Sequence, residues 1–228
     1  MALMGRIWEW REEEALAFWA EARGLLDSGG IMAIPTDTFY ALAAHPFQEK
    51  TLKKLFALKE RPPEKPVLLL VSAPEMLPQV VREVPQVGQE LMARFWPGPL
   101  TLIFPARPGL PPLLTGGTET IGVRQPRQDL TLRLVAALGF PVTGTSANRT
   151  GQAPLTEAAE VAREFGKGVD LILNAGPCPG GKPSTIVDVS GPRPRLVRSG
   201  AIPAALLSQF IPEMQRSPEV SSPWPRNP

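Results

Sequence analysis

The chain alternates short apolar runs with amphipathic stretches, and this alternation predicts an α/β fold. Runs of four to six apolar residues are typical of buried strands, whereas apolar residues three or four positions apart indicate a helix with one buried face. The predicted strands cover 30–35, 67–71, 100–104, 120–124, 141–145, 170–173, 185–189 and 195–197. The predicted helices cover 8–26, 50–59, 87–96, 129–138 and 156–165, with Asp129 and Thr156 as the caps of the last two. Because the later strands lack intervening helices, we expect a mixed sheet.

The stretch 31–71 contains the densest group of candidate ligand-binding side chains. It reads as a strand, a hydroxyl-rich loop with Thr36 and Thr38, a helix, a basic corner with Lys59 and Arg61, and a second strand. Loops held by a rigid scaffold are where binding and catalytic residues concentrate. This stretch is therefore expected to contribute two loops to one site.

Composition sets the class of protein. With 228 residues, 43% of them hydrophobic and 20% charged, the chain is expected to be a soluble globular protein with one domain over 1–212. The segment 213–228 has no periodicity and is expected to be a loose tail. No apolar run approaches the ~20 residues of a membrane span. The single cysteine, Cys178, excludes an internal disulfide and fits a cytoplasmic protein.

The charged residues give a weaker indication. A formal net charge of +2 is too small to imply nucleic-acid binding by itself. Of the 24 basic residues, 17 are arginines, which prefer bidentate contacts with phosphates and carboxylates. A thermophilic or GC-rich source explains this excess equally well.

Several familiar catalytic patterns are absent from the sequence. Residues 176–182 spell GxxxxGK, but Pro183 stands where a P-loop needs Ser or Thr, and the next residues favour a strand instead of a helix. Lys182 and Ser184 can still face a ligand in another architecture. His45 is the only histidine, and neither a Gly-x-Ser-x-Gly elbow nor metal-ligand spacing is present.

The remaining candidates are anion-binding and hydroxyl side chains at the ends of predicted strands. Lys59 and Arg61 lie in a proline-stiffened corner that could clamp a polyphosphate, or they form a solvated basic helix end. Thr36 could orient a small ligand or satisfy the backbone of its turn. Arg124 ends an apolar strand and needs an anion, either a ligand or an internal carboxylate. Ser146 follows a strand at the edge where open α/β sheets bind ligands.

Seven motifs fall in an order that is known from one family. They are PTDTFYAL (35–42), KERP (59–62), WPGPLTLIF (96–104), TIGVRQP (120–126), TSANRTG (145–151), PSTIVDVSG (183–191) and LVRSGAI (196–202). On these motifs the chain resembles the YrdC/Sua5 threonylcarbamoyl-adenylate synthases. The resemblance implies a YrdC-like α/β fold, an open twisted mixed sheet with helices and a concave, positively charged ligand cleft.

The resemblance also implies a nucleotidyltransferase reaction. L-threonine, bicarbonate and ATP give L-threonylcarbamoyl-AMP and pyrophosphate, and a partner transferase complex uses the product for the t6A modification of tRNA. Mg²⁺ would be held by the ATP phosphates, with no protein metal site. Direct tRNA binding would be weak, and no membrane is involved.

The resemblance assigns roles to individual residues. Lys59 and Arg61 match the polyphosphate-binding pair that is expected to carry catalysis, and Thr36 and Arg124 match positions that hold threonine. The other positions expected to line the ATP site are Thr120, Ser146, Asn148, Ser184 and Arg198.

The chain departs from the family in two places, and two other functions stay open. Ala41 and Ala43 stand where the family usually has glycines, and the C-terminal domain of Sua5 is missing. One alternative is a YciO-like RNA- or nucleotide-binding module without synthase activity. The other is a carbamoyl-adenylate domain like those of hydrogenase maturation factors, which the lack of zinc-finger cysteines disfavours.

Overall fold

A computed structural model of the chain describes residues 5–166, 168–216 and 224, which form two mixed β-sheets with helices packed against them. The helices are α1 Ala15–Asp27, α2 Glu49–Lys59, α3 Gln86–Phe95, α4 Pro112–Thr115, α5 Asp129–Leu138, α6 Ala158–Phe165 and α7 Ala204–Phe210. The strands are β1 Arg6–Glu9, β2 Ile31–Ile34, β3 Ala41–Ala44, β4 Leu69–Leu70, β5 Leu100–Pro105, β6 Thr120–Arg124, β7 Val142–Thr143, β8 Thr145–Ser146, β9 Leu171–Asn174, β10 Thr185–Asp188, β11 Arg195–Arg198 and β12 Gln215–Arg216. The mixed α/β class is confirmed, but the strands divide between two sheets instead of forming one.

The first sheet has the strand order β1-β9-β2-β3-β8. Within it β2 and β3 are antiparallel, with Ile31 opposite Ala44 and Ile34 opposite Ala41. The loop 35–40 therefore leaves and re-enters the sheet at the same end. Strand β8 pairs with β3 through Ser146 and Ala41, so the hydroxyl-rich loop and the start of the 146–152 segment lie side by side.

The second sheet has the order β12-β11-β10-β5-β6-β4-β7. Its long central strands β5 and β6 are antiparallel, and β10 runs parallel to β5. Leu100, Leu102 and Phe104 of β5 face the main hydrophobic core, and the alternate residues Thr101 and Ile103 face the opposite side. The polar candidate site residues of this sheet lie on the face of Thr101 and Ile103, which we call its second face.

The first part of the predicted helix 8–26 is wrong. Residues Arg6–Glu9 form a strand that pairs in parallel with β9, and the helix begins only at Ala15, after a 3₁₀ turn at Glu12–Glu14. The local helical pattern is overridden because β1 completes the edge of the first sheet. Phe18 of α1 packs edge-on against Trp8, which joins the strand to the helix.

Strand β3 was not predicted. Three of its four residues are alanines, which favour helices in isolation, and the pairing with β2 decides the structure. Ala41 and Ala43, the residues that replace the family's glycines, are 3% and 0% exposed and belong to the main core. Their methyl groups therefore pack inside the protein.

Two predicted helix caps are each one residue away from the observed ones. Gln128 caps α5, since its side chain accepts a hydrogen bond from the Thr131 backbone N–H at 3.0 Å. Glu157 caps α6 in a capping box with Glu160. Both are longer side chains than the preferred Asp and Thr, which is why a rule based on short caps chose their neighbours.

The predicted tail 213–228 falls largely outside the described residues, because 217–223 and 225–228 are not among them. Gln215–Arg216 pairs with β11. Trp224 is 3% exposed and clusters with Ile103 and Ile186 on the second face of the second sheet. Its ring lies over Gly122, where an added Cβ would come within 2.5 Å of the indole. Within the described residues, no helix combines the length and the apolar character that a membrane span requires.

Candidate ligand site at the seam between the two sheets

The loop 35–40 is held by the hydroxyl of Thr36. This oxygen donates to the carbonyl of Phe39 at 2.7 Å and accepts from the backbone N–H groups of Thr38 and Phe39. The hydroxyls of Thr36 and Thr38 also lie 3.0 Å apart. Thr36 thus shapes the turn, and its neighbours Asp37 and Thr38 are presented to the second sheet.

Arg124, at the end of β6, reaches this loop from the second sheet. Its guanidinium donates to Asp37 Oδ1, to Thr38 Oγ1 at 3.2 Å and to the carbonyl of Gly98 at 3.1 Å. The side chains of Arg124 and Asp37 are only 5% and 11% exposed. Burial lowers the pKa of Arg124, and the carboxylate of Asp37 opposes that shift. We call this contact between the sheets the seam.

Lys59, the last residue of α2, is almost completely buried, with 2% of its surface exposed. Its ammonium group donates to the carbonyl of Ser146 and, at 2.6 Å, to the carbonyl of Asn148. Burial and, to a smaller extent, the positive charge of Arg61 together lower its pKa from 10.5 to about 7. No carboxylate in the described part of the chain forms an ion pair with Lys59, so its charge is balanced only by dipoles.

The side chain of Arg61 bonds to backbone carbonyls of the residues that follow it in the basic corner. It donates from Nε to the carbonyl of Lys65 at 3.1 Å and from NH2 to the carbonyl of Pro66 at 2.6 Å. Glu60, between the two cations, has a left-handed φ of 51°, which turns the chain sharply after α2. Burial lowers the pKa of Arg61 to about 10. The corner therefore holds two cations close together in a rigid turn.

Ser146, at the end of β8, and Asn148, just after it, lie next to Lys59. The Ser146 hydroxyl donates to Asn148 Oδ1 at 2.5 Å, and the Asn148 amide donates to the carbonyls of Arg149 and Gln152. The side chain of Asn148 is therefore fixed in one orientation. The carbonyls of both residues point at Lys59, which makes these three residues one group.

Ser184 and Arg198 form a second polar group on the second sheet. Arg198 donates to the Ser184 carbonyl at 2.8 Å and to its hydroxyl at 3.1 Å, and that hydroxyl shares a hydrogen bond of 2.9 Å with Thr101. Burial lowers the pKa of Arg198 to about 10, with a further contribution from the charge of Arg124. The two arginines are therefore close neighbours.

Thr120 is the most peripheral of the predicted residues. It begins β6, two residues before the glycine that Trp224 covers, and its hydroxyl lies 3.0 Å from that of Thr118. The indole N–H of Trp224 points at the same hydroxyl, at 3.5 Å.

The loop 176–182, which imitates a P-loop in sequence, packs against the seam. The backbone N–H of Gly180 donates to the carbonyl of Thr38 at 2.8 Å, and a strand follows the loop, as the sequence indicated. Cys178 in this loop is buried, and burial raises the pKa of its thiol to about 11. Of the residues that the structure describes, no three His, Cys, Asp or Glu side chains cluster in a way that could hold a metal ion.

The predicted site residues thus form two connected groups. Lys59, at the end of α2, groups with Ser146 and Asn148 beside the first sheet. Ser184, Arg198 and Arg124 form the other group, at the ends of strands of the second sheet. The sequence reasoning did not assign a role to Asp37, although its position inside the PTDT motif was a usable signal. It also missed Thr101, whose contact with a serine 83 residues away exists only in the folded chain.

Comparison with known proteins gives matches over most of the chain. Residues 24–200 match the family model Sua5_yciO_yrdC, described as Telomere recombination. The threonylcarbamoyl-AMP synthase of Pyrococcus abyssi is 34% identical over 199 residues, which are 87% of this chain and 58% of that protein. The enzyme of the same name from Idiomarina loihiensis is 37% identical over 172 residues, 75% of this chain and 92% of that protein.

Solved structures show the same fold. P. abyssi Sua5 complexed with L-threonine has a TM-score of 0.85 and 32% identity, covering 92% of this chain and 62% of that one. E. coli YciO has a TM-score of 0.78 and 25% identity, covering 87% and 97%. The chain spans little more than half the length of its relatives from P. abyssi and Bacillus subtilis, 58% and 53% respectively.

Proposed function

Because the chain belongs to the Sua5_yciO_yrdC family, we propose that it synthesises L-threonylcarbamoyl-AMP from L-threonine, bicarbonate and ATP, with release of pyrophosphate. The observation that carries this proposal is the state of Lys59. A buried cation without a carboxylate partner is costly, and an anionic ligand that enters its surroundings removes the cost. The triphosphate of ATP is such a ligand.

In the proposed reaction the amine of threonine and bicarbonate give a carbamate and water. A carbamate oxygen then attacks the α-phosphorus of ATP, and the bond to the β-phosphate oxygen breaks as pyrophosphate leaves. Side chains take little part in the covalent chemistry of this transfer. Catalysis therefore consists of positioning the substrates and stabilising the charge of the transition state. A site built from cations and hydroxyls fits that demand.

We assign the triphosphate to Lys59 and Arg61, which lie close together in the basic corner. Mg²⁺ would arrive bound to the phosphates, as part of the substrate. The rest of the nucleotide is assigned to the five other positions that were predicted to line the ATP site, and Lys59 donates to the carbonyls of two of them. These positions are Thr120, Ser146, Asn148, Ser184 and Arg198.

The threonine substrate is assigned to the seam, with its carboxylate on Arg124. Arg124 is the buried guanidinium nearest the loop of Thr36, and arginine is suited to bidentate carboxylate recognition. Thr36 would act by keeping the loop in shape, since its hydroxyl already bonds to three backbone groups. Bicarbonate would react between the two assigned substrates.

The biological setting is inferred from the proposed activity. Residues 1–212 would be the catalytic unit, with a concave positive cleft between the sheets. The product would pass to a t6A transferase complex in the cytoplasm, with at most weak tRNA binding by this chain.

A pyrophosphate-release assay tests the proposal. Release should require ATP, bicarbonate and L-threonine together, and Lys59→Ala should abolish it with little change in thermal stability, because the variant also removes a buried charge. Lys53→Ala is the matched control, since Lys53 lies on the same helix but is exposed and paired with Glu49. Release without threonine, or no release at all, would contradict the proposal. tRNA binding at moderate salt without any release would support the binding-module function instead.

A further inference from the structure

The ion pair between Asp37 and Arg124 is the most deeply buried one that the structure describes. Buried ion pairs contribute little net stability, because removing two charges from water costs about as much as their attraction returns. Replacing such a pair with well-packed apolar side chains of similar volume is often neutral or stabilising. The pair therefore calls for a functional reason, and its place in the proposed threonine site supplies one.

The two members of the pair have unequal hydrogen bonding. Arg124 donates to Asp37, to the hydroxyl of Thr38 and to the carbonyl of Gly98. Asp37 uses only Oδ1 in this contact, and Oδ2 accepts from no donor among the described residues. Since Asp37 is also the more exposed partner, with 11% of its side chain accessible against 5%, its second oxygen is available to a ligand entering the seam.

The charges around this oxygen are unevenly distributed. The positive charge of Arg124 contributes to the lowered pKa of Arg198, whose Nε and NH2 groups donate to Ser184. The thiol of Cys178 lies close to Asp37 and is neutral, because its pKa is raised to about 11 by burial and, to a smaller extent, by that carboxylate. Asp37 is therefore the one anionic group among the described residues that faces Arg124.

A free amino acid needs a binding site that has an anionic and a cationic group side by side. Its ammonium and carboxylate groups are attached to one carbon atom, so they need an anion and a cation that stand directly beside each other. Asp37 and Arg124 meet that condition, and together they carry no net charge, as does the zwitterion. A site with Arg124 alone would accept any small carboxylate.

We propose that Asp37 is a specificity-determining residue that binds the α-ammonium group of the amino-acid substrate while Arg124 binds its α-carboxylate. This inference rests on the proposed function, which supplies threonine as the amino acid. Asp37 selects free α-amino acids against carboxylates that lack the ammonium group. It also holds the nitrogen at a fixed place, and the ammonium group releases one proton to solvent before the neutral amine reacts with bicarbonate.

Isothermal titration calorimetry with three small ligands tests the role of Asp37. L-threonine has both charged groups, 3-hydroxybutanoate lacks the ammonium, and 1-aminopropan-2-ol lacks the carboxylate. The wild-type protein should bind L-threonine at least about tenfold more tightly than either analogue. Asp37→Asn should weaken L-threonine binding about 10- to 100-fold and leave 3-hydroxybutanoate binding unchanged or tighter, because the site gains a positive charge.

Two further variants separate recognition from folding. Asp37→Glu keeps the carboxylate and should recover part of the preference for L-threonine. Asp188→Asn is the matched control, since Asp188 pairs with Arg195 in another partly buried ion pair of the second sheet and should leave the preference unchanged. The ratio of the two affinities is measured within one protein, so a reduced folded fraction cancels.

The outcomes distinguish this inference from the proposed function. If Asp37→Asn weakens the binding of L-threonine and of 3-hydroxybutanoate equally, or weakens the binding of neither, Asp37 is only a structural counter-ion and the inference is wrong. The same conclusion holds if the wild type binds no free amino acid. Threonine-dependent pyrophosphate release with an unchanged KM for threonine in Asp37→Asn overturns the inference alone. Threonine binding with the expected preference but without release overturns the synthase activity alone.

Discussion

The affinity for ATP should fall as the pH rises above about 7, because Lys59 loses its proton in the unliganded protein. Burial lowers the pKa of Lys59 from 10.5 to about 7, with Arg61 adding to the effect. A triphosphate beside the ammonium group favours the charged form and raises the pKa again. ATP binding is therefore coupled to proton uptake in the pH range between the two values.

The size of the effect follows from the fraction of Lys59 that is protonated. With a pKa of about 7, half of the side chains are charged at pH 7, about one in ten at pH 8 and about one in a hundred at pH 9. The apparent affinity should drop about 50-fold between about pH 7 and about pH 9, equivalent to about 2.3 kcal/mol.

The stability of the unliganded protein should change in the opposite direction. Because the pKa of Lys59 is lower in the folded than in the unfolded state, the unfolded chain binds more protons between about pH 7 and 10.5. The contribution of this residue to the free energy of unfolding therefore rises with pH in that window. A falling affinity together with a rising stability contribution identifies a buried lysine.

Calorimetric titration with ATP over this pH range measures the effect, and two buffers of different ionisation enthalpy give the number of protons taken up. Lys59→Arg is the matched control, since arginine stays charged throughout. The phosphates of ATP titrate identically in both experiments, so only the difference between the two slopes is assigned to Lys59. Equal slopes, or no proton uptake by the wild type near pH 8, would refute the reasoning.

Three further outcomes follow from the packing. Gly122→Ala should displace Trp224, because the new Cβ would lie within 2.5 Å of the indole, and a red shift of tryptophan fluorescence would report it; an unchanged spectrum would contradict this. Cys178 should react with iodoacetamide at neutral pH far more slowly in the folded protein than in denaturant, since its buried thiol has a pKa of about 11, and equal rates would show an accessible thiol. Leu102→Ala, at a fully buried position of the central strand β5, should cost about 2–5 kcal/mol in chemical denaturation, and a cost below about 1 kcal/mol would mean that the cavity collapses.

The local pattern of apolar and polar residues is enough to predict an element when it agrees with the burial of that element in the fold. The helix 50–59 and the strands at 100–104 and 120–124 were predicted within one residue of their observed ends. It was insufficient where a distant partner decides the structure. Arg6–Glu9 becomes a strand because it meets Leu171–Asn174, and nothing near either segment encodes that meeting.

The candidate site shows the same division. Arg124 was recognised as needing an anion, and both a ligand and an internal carboxylate were left open. The structure supplies the carboxylate of Asp37, 87 residues away in sequence. Such a pairing depends on how two sheets face each other. The sequence pattern predicts a single sheet, so it gives no basis for predicting a contact between two.

The contact between the two sheets also has a consequence for local unfolding, which amide hydrogen exchange measures. Arg124 on one sheet bonds to the loop 35–40 of the other, and Thr143 of β7 bridges to Leu42 and Ala44 of β3. A substrate bound across both sheets, as proposed for threonine, would add reversible links to this contact. Because the two sheets also share one hydrophobic core, we expect substrate to slow amide exchange in both sheets together. The level of free amino acid and nucleotide would then set how firmly the two halves of the shared core are held together.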